Sequence, residues 1–168
     1  MEITYKVVEV TYDITDYGKD GPHYLDDSSG TLTISHTTGP DAAMTTIENV
    51  IYDGMFVGLM QSVCYAILAL ANGKDYEHTA DAEYTSSPDK VLFKVDGNDV
   101  IISGNDIEGD RLPKQLLLEA MADCAEDFIM MQKQFYSTNP NMADTIIGLD
   151  NRLAELRGIV PKPMQQTQ

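Results

Sequence analysis

The sequence predicts an α+β protein: an antiparallel sheet of about five strands with two long helices packed on one face, followed by a short C-terminal helix. Three observations predict this class. Short segments rich in β-branched and aromatic residues alternate with polar residues, two longer segments repeat apolar residues every three or four positions, and turn signals separate them. We expect residues 1–157 to form a single α+β domain and residues 158–168 to form a flexible C-terminal tail.

The N-terminal segment, residues 2–14, has the alternation of a strand. Its apolar phase changes after Val7, which indicates either a β-bulge or a strand that is buried on both faces. The segment "GTLTISH" predicts a second strand with Leu32 and Ile34 facing inward. These two strands are expected to pair as a hairpin with a long tip.

The first long helix is expected to follow Asp53, which we interpret as its N-cap. Residues 37–52, before it, fit either a short strand or a helix lead-in. Gly73 is expected to end the helix in the left-handed conformation that other residues resist. The apolar residues that define the helix are Phe56, Leu59, Met60, Val63, Ile67 and Leu70.

Three strands are expected next, over "DYEHTADAEYT", "KVLFKVD" and "DVIIS". The turn signals "SSPD" and "GN" join them. A second long helix is predicted from Asp110 to about Phe135, with Pro113 in its first turn. The segment "STNPN" breaks that helix, and a short third helix is predicted over residues 142–157.

The charge of the chain indicates a cationic partner. The net charge is −16, from 27 acidic and 11 basic residues, so the surface should repel nucleic acid and anionic membranes. Nine acidic residues fall in residues 1–48, which hold only two lysines. Because acidity that served solubility alone could lie anywhere, this concentration favours a binding surface in the N-terminal half.

A cytoplasmic location is expected, because the N-terminus lacks a basic region followed by an apolar run. The most apolar segment, "MFVGLMQSVCYAILALA", is short for a membrane span and contains Gln61, so it predicts a buried helix. Cys64 and Cys124 are expected to be reduced packing thiols.

The segment "DYGKDGPHYLDD" has the spacing of oxygen ligands in a calcium loop, which favours a calcium site. Against this, the segment leaves one predicted strand and enters another, Gly18 offers no ligand, and the last acidic residue is Asp27 rather than a glutamate. We therefore interpret it as an acidic hairpin tip and predict no metal.

A second acidic cluster lies further along the chain, and two interpretations of it stay open. Its members are either turn residues and favourable acids before a helix, or part of a binding face. They are Asp96, Asp99, Asp106, Glu108 and Asp110.

No catalytic constellation is present in the sequence. There is no G-x-S-x-G motif, no phosphate-binding glycine loop, and no metal-type spacing among His23, His36 and His78. We therefore expect a protein that is not an enzyme and that needs no cofactor.

Residues 50–135 resemble the small cytosolic immunity proteins of bacterial polymorphic toxin systems. The similarity lies in acidity and in layout: a helix ending in "ANGK", then "SSPDKVLFKV", "GNDVIIS" and a long amphipathic helix. The resemblance implies an antitoxin that occludes a cognate toxin domain with a basic surface, as a monomer or weak dimer. The expected partner-binding residues are Asp16, Tyr17, Asp20, Tyr24, Asp26 and Asp27 at the hairpin tip, and then Asp99, Asp106, Glu108 and Asp110.

Two alternatives remain open at this point. A small acidic secretion or effector chaperone would bind an effector segment through exposed apolar grooves. A phage-type inhibitor that mimics nucleic acid would arrange its carboxylates along one elongated face.

Overall fold

The computed structural model describes residues 5–16, 29–38, 45–79, 90–104 and 107–162. In these residues the protein is α+β, with antiparallel sheets and three α-helices, as the sequence predicts. None of the described helices combines the length and the apolarity needed to span a bilayer.

The first sheet has the strand order β1-β2-β3, formed by β1 (Tyr5–Asp16), β2 (Ser29–Thr38) and β3 (Thr45–Met55). All its pairings are antiparallel. The predicted pairing of the first two strands is confirmed, and a register shift between Tyr5 and Val7 lies next to the point after Val7 where the apolar phase of the sequence changes. Of the ambiguous residues 37–52, Thr37 and Thr38 end β2 and residues 45–52 belong to β3, while residues 39–44 lie outside the described residues.

The second sheet has the order β4-β5-β6-β7, and its strands are also antiparallel. They are β4 (Tyr76–Thr79), β5 (Lys90–Asp96), β6 (Asp99–Gly104) and β7 (Ile107–Pro113). The predicted two-residue turn joins β5 to β6, with Gly97 at a φ of +60°. Gly104 ends β6 at a φ of +122°, where an added Cβ would lie 2.0 Å from the Lys90 carbonyl oxygen, so only glycine fits there.

The expectation of one sheet of about five strands is wrong in its arrangement, because the described strands divide into two sheets. β1 and β7, which are edge strands of the two sheets, contact each other without pairing as a ladder. Helix α2 (Lys114–Tyr136) contacts β1, β6 and β7 and so covers this junction. Helix α2 therefore packs against strands of both sheets, and the two sheets share one core.

Two predicted helix starts are also wrong. Asp53 lies inside β3 rather than at an N-cap, and helix α1 is Phe56–Ala71. Asp110 lies inside β7, and Pro113, with a ψ of 126°, keeps the chain extended up to the first residue of α2. The backbone N–H of Lys114 then donates to the carbonyl of Asn98, 2.8 Å away, which fixes the start of α2 beside the β5–β6 turn.

The helices end as their local sequence requires. Gly73, at a φ of +73°, follows α1 and confirms the predicted left-handed end. A 3-10 turn, Pro140–Met142, separates α2 from helix α3 (Ala143–Ile159). Helix α3 extends past the predicted start of the tail, because Gly158 is helical and Val160 is buried.

The buried apolar side chains form one cluster that draws on both sheets and all three helices. Burial of each large apolar side chain contributes about 1.5–3 kcal/mol, so this cluster is the main source of stability. Its largest fully buried members are Phe93, Phe128, Leu32, Ile34, Ile67, Leu70, Ile102, Leu112 and Leu117.

Candidate protein-binding surface

The predicted hairpin tip connects two paired strands, because β1 ends at Asp16 and β2 begins at Ser29. This strand-to-strand setting, on which the interpretation as a hairpin tip depended, is confirmed. The other expected tip residues, Tyr17, Asp20, Tyr24, Asp26 and Asp27, lie outside the described residues. Their role in binding stays a prediction.

In the second predicted cluster, two of the described carboxylates are held by an arginine of the chain itself. Asp99 lies in β6, where Nη1 of Arg111 donates to its carboxylate at 3.0 Å, while Nη2 donates to Asp96 at 2.8 Å. Asp110 lies in β7, where it pairs in register with Ile102 of β6; its side chain is half-buried and near His36 of β2. Burial lowers the pKa of His36, and the Asp110 carboxylate opposes that shift.

The contribution of the other two members of that cluster to a binding face stays a prediction. Glu108 lies in β7 opposite Ser103, and Asp106 lies outside the described residues.

A different acidic surface lies on the outer side of the N-terminal hairpin. Along β1, Val10 is buried while Glu9, Thr11 and Asp13 are exposed, so the strand has one core face and one solvent face. In register these three residues face hydroxyl-bearing partners on β2, which are half-buried. We call this surface the hairpin face; its residues are Glu9, Thr11, Asp13, Thr31, Thr33 and Ser35.

Sequence reasoning missed the hairpin face, although its signal was available. Polar residues at positions 9, 11 and 13 alternate with apolar ones at positions 8, 10, 12 and 14. That alternation identified a strand, but it also defines the side that faces solvent.

The carboxylates of the hairpin face lack the neutralising partners found elsewhere. Among the described residues, neither Glu9 nor Asp13 takes part in an ion pair, and the sequence has no lysine or arginine between Lys19 and Lys74. In the C-terminal half, by contrast, the chain's own cations hold many of the carboxylates. The held carboxylates are Asp96, Asp99, Asp123, Glu126 and Asp150.

Arg157, one of the two arginines of α3, is an example of that internal pairing. Nη2 of Arg157 donates to Asp123 at 2.7 Å and to Glu126 at 2.6 Å, both in α2. Lys162 adds a second cation 3.1 Å from Glu126. These carboxylates hold α3 against α2, and they are not free to bind a partner without loss of that contact.

An open groove of about 680 Å³ runs where β1, α2 and the start of α3 meet. Tyr12, on the inner side of β1, reaches it with its hydroxyl donating to Asp127 at 3.1 Å. Its ring packs edge-to-face on Phe128, with centroids 5.5 Å apart. Met130 and Ile146 also line the groove, and Met130 is 50% exposed, so the groove offers adaptable apolar surface beside a carboxylate.

The described titratable groups are not arranged for nucleophilic or metal chemistry. Burial raises the pKa of Cys124 to about 12 and also raises that of Cys64, so both free cysteines remain thiols. Burial lowers the pKa of His36 and His78, which keeps both imidazoles neutral at pH 7. Within the described ranges, no three His, Cys, Asp or Glu side chains are grouped so that they could hold a metal ion.

No protein-family model, curated protein sequence or solved structure matches the chain. Residue roles are therefore not transferred from any relative, and they follow from the charges, contacts and exposure described above.

Proposed function

We propose that this protein is an immunity protein that occludes a basic toxin domain, with the hairpin face as its docking surface. One observation carries the proposal: the carboxylates of Glu9 and Asp13 are exposed and pair with no cation of the described residues, whereas five carboxylates of the C-terminal half are held in ion pairs. Free carboxylates bind an incoming cation at no cost to the fold. Paired ones would first have to give up an internal partner.

The net charge of −16 supports such a partner through the rate of encounter. A one-sign field over a surface raises the association rate with an oppositely charged protein by about 10- to 1,000-fold at low salt. Single exposed ion pairs contribute only about 0.2–1 kcal/mol each, so the charge sets speed and orientation rather than most of the affinity.

Affinity would come from the neighbouring apolar and aromatic groups. Tyr12 and Met130 lie in the groove on the inner side of the edge strand β1, so a partner that also covers this edge would contact surface of the kind that dominates binding energy at protein interfaces. Thr11 and Thr33, which are register partners on the hairpin face, offer hydroxyls that donate and accept hydrogen bonds. The mechanism is occlusion: the hairpin face covers the toxin's basic cleft, and no bond is made or broken on the inhibitor.

The groove also favours a second function, that of a secretion or effector chaperone. Its exposed Met130 and its volume of about 680 Å³ suit an amphipathic segment of an unfolded effector. The two functions differ in what is bound. An immunity protein binds a folded basic domain, and a chaperone binds an extended or helical segment of it.

The test is co-expression with the basic C-terminal domain of a large protein encoded beside this chain. The immunity proposal expects the chain to rescue growth and to co-purify with the folded domain. If the chain binds only unfolded fragments of that domain and leaves its toxicity intact, the chaperone function is the correct one. If it neither rescues nor co-purifies, both proposals fail for that partner.

A further inference from the structure

Arg152 of α3 lies at the junction of the three helices and faces several cavities. Three neighbouring cavities share both Arg152 and Gln61 of α1 in their linings. The largest, about 290 Å³, is also lined by Gln132, Thr145 and Gly148. We call this largest cavity the helix-junction cleft.

Arg152 differs from the chain's other two arginines in its contacts. Arg111 and Arg157 each hold two carboxylates. Over the same described ranges, the half-buried Arg152 makes neither an ion pair nor a hydrogen bond, although Glu155 lies one turn further along α3. Glu155 lines a separate cavity of about 250 Å³ and not the helix-junction cleft.

Gln132 supplies an independent observation that points to a ligand. Its side chain lines the cleft from α2 and is only 7% exposed, and it has no hydrogen-bond partner in the described part of the chain. Neither atom of its amide is among the fully buried side-chain atoms that lack a hydrogen bond, so the amide is accessible to a ligand. A cleft with an unpaired guanidinium and an unpaired, accessible amide is complementary to a polar ligand.

We propose that the helix-junction cleft binds a small monocarboxylate that carries an amide group. The planar guanidinium of Arg152 would take the carboxylate through two parallel hydrogen bonds. The amides of Gln61 and Gln132 each donate and accept, so they match an amide on the ligand. The single arginine in the cleft balances one negative charge. A dianion such as phosphate would keep a second, unbalanced charge, which a chain of net charge −16 repels. This site is separate from the hairpin face and does not depend on the toxin partner.

The volume of the cleft and the open space beside Gly148 indicate the size of the ligand. A volume of about 290 Å³ lies at the lower end of small-molecule pockets, which fits a ligand of about the size of an acylated amino acid. A Cβ added at Gly148 would have no heavy atom within 4 Å, so this position borders open space. A leucine there would fill part of the cleft while it keeps a good helix-forming residue in α3.

The experiment is a titration of the full chain with N-acetylglycine, followed by backbone-amide NMR shifts at constant ionic strength. Saturable shifts are expected for residues of α2 and α3 around the cleft. The neutral analogue N-acetylglycinamide, which lacks the carboxylate, should give none. Equal binding of the neutral analogue, or binding of inorganic phosphate instead of N-acetylglycine, would overturn the proposal.

Variants locate the binding site. Arg152→Gln should weaken N-acetylglycine binding roughly tenfold or more, because it removes a charge-assisted pair of hydrogen bonds. Gly148→Leu should weaken it by blocking the cleft, and it keeps the test decisive if Arg152→Gln does not fold. The matched control Arg111→Gln, which alters an arginine in β7, should bind as the wild-type chain does. Unchanged binding by both cleft variants overturns the assignment.

Discussion

The hydroxyl of Tyr12 donates a hydrogen bond of 3.1 Å to the carboxylate of Asp127, and it thereby joins β1 to α2 across 115 positions of sequence. The same ring packs edge-to-face on Phe128 at 5.5 Å. Because Tyr12 alternates with the exposed Thr11 and Asp13, its contacts with α2 set the orientation of the hairpin face. The position of the proposed docking surface is therefore coupled to the contacts of the partly buried Tyr12 with α2.

Substitution of Tyr12 separates the contribution of its hydrogen bond from that of its ring. Tyr12→Phe keeps the contact with Phe128, and because the bond to Asp127 is exposed, we expect a loss of only about 0.5–1 kcal/mol of unfolding free energy. Tyr12→Ala also removes the ring, and a loss of about 2–3 kcal/mol is expected. Urea denaturation measures both. Equal losses in the two variants would show that the hydrogen bond, and not ring packing, holds β1 to α2.

Two glycines should respond to alanine in opposite directions. Gly158 lies in α3 with no heavy atom within 4 Å of an added Cβ, so Gly158→Ala should stabilise the protein by about 0.5 kcal/mol. Gly104 has a φ of +122° and would bring its Cβ within 2.0 Å of a backbone oxygen of Lys90. Gly104→Ala should therefore destabilise the protein by about 2–3 kcal/mol. Thermal unfolding of both variants checks the contrast, and a loss at Gly158 would contradict it.

Acid should weaken the contact between α2 and α3. The hydrogen bond from Arg157 holds the pKa of Glu126 below its ordinary value of 4.5. A carboxylate whose pKa is lowered on folding stabilises the fold above its unfolded pKa, and the contribution is lost as the pH falls through the folded pKa. We expect the difference in unfolding free energy between wild type and Glu126→Gln to be constant at neutral pH and to shrink below pH 4.5.

The control for that prediction is the same substitution in an Arg157→Gln background. Because Arg157 is the main cause of the lowered pKa, the difference should depend on pH much less in that background. An unchanged pH dependence would show that Glu126 is stabilised by some other group.

The sequence predicts the elements of this fold where the signal is local. The alternation of Val91 and Phe93 and the turn glycines at Gly73 and Gly97 all act within a few residues, and the corresponding strands and ends are present. Strand β7 escaped prediction because, of its described side chains, only Leu112 is buried, so it lacks an apolar pattern. The division into two sheets could not be predicted either, because it depends on contacts with α2, which lies far along the chain from β1.

The same distinction between local and long-range signals applies to the candidate site. Counting charges was enough to predict an acidic N-terminal half. It could not predict which carboxylates are free, since Arg111 pairs with acids 12 and 15 positions away and Arg157 with acids 34 and 31 positions away. Such pairs depend on the tertiary fold, and they are what removes Asp99 from the free surface.

Charge reversal on the hairpin face is the most direct prediction of the proposed function. The double variant Glu9→Lys and Asp13→Lys should fold with a change in stability within about 0.5 kcal/mol, because both side chains are exposed and neither forms an ion pair within the described part of the chain. Its association with the basic toxin domain should be at least roughly tenfold slower at low salt. The difference should diminish at high salt, where the Debye length is only about 3 Å at 1 M.

The matched control is Glu119→Lys with Asp144→Lys, which changes the net charge equally but lies on α2 and α3. If the hairpin face is the docking surface, this control should slow association by no more than about two- to threefold, because its charges act from a distance and are screened. Stopped-flow measurements at two salt concentrations compare the variants. Equal slowing by both would mean that the toxin senses the net charge alone. The hairpin face would then not be the docking surface.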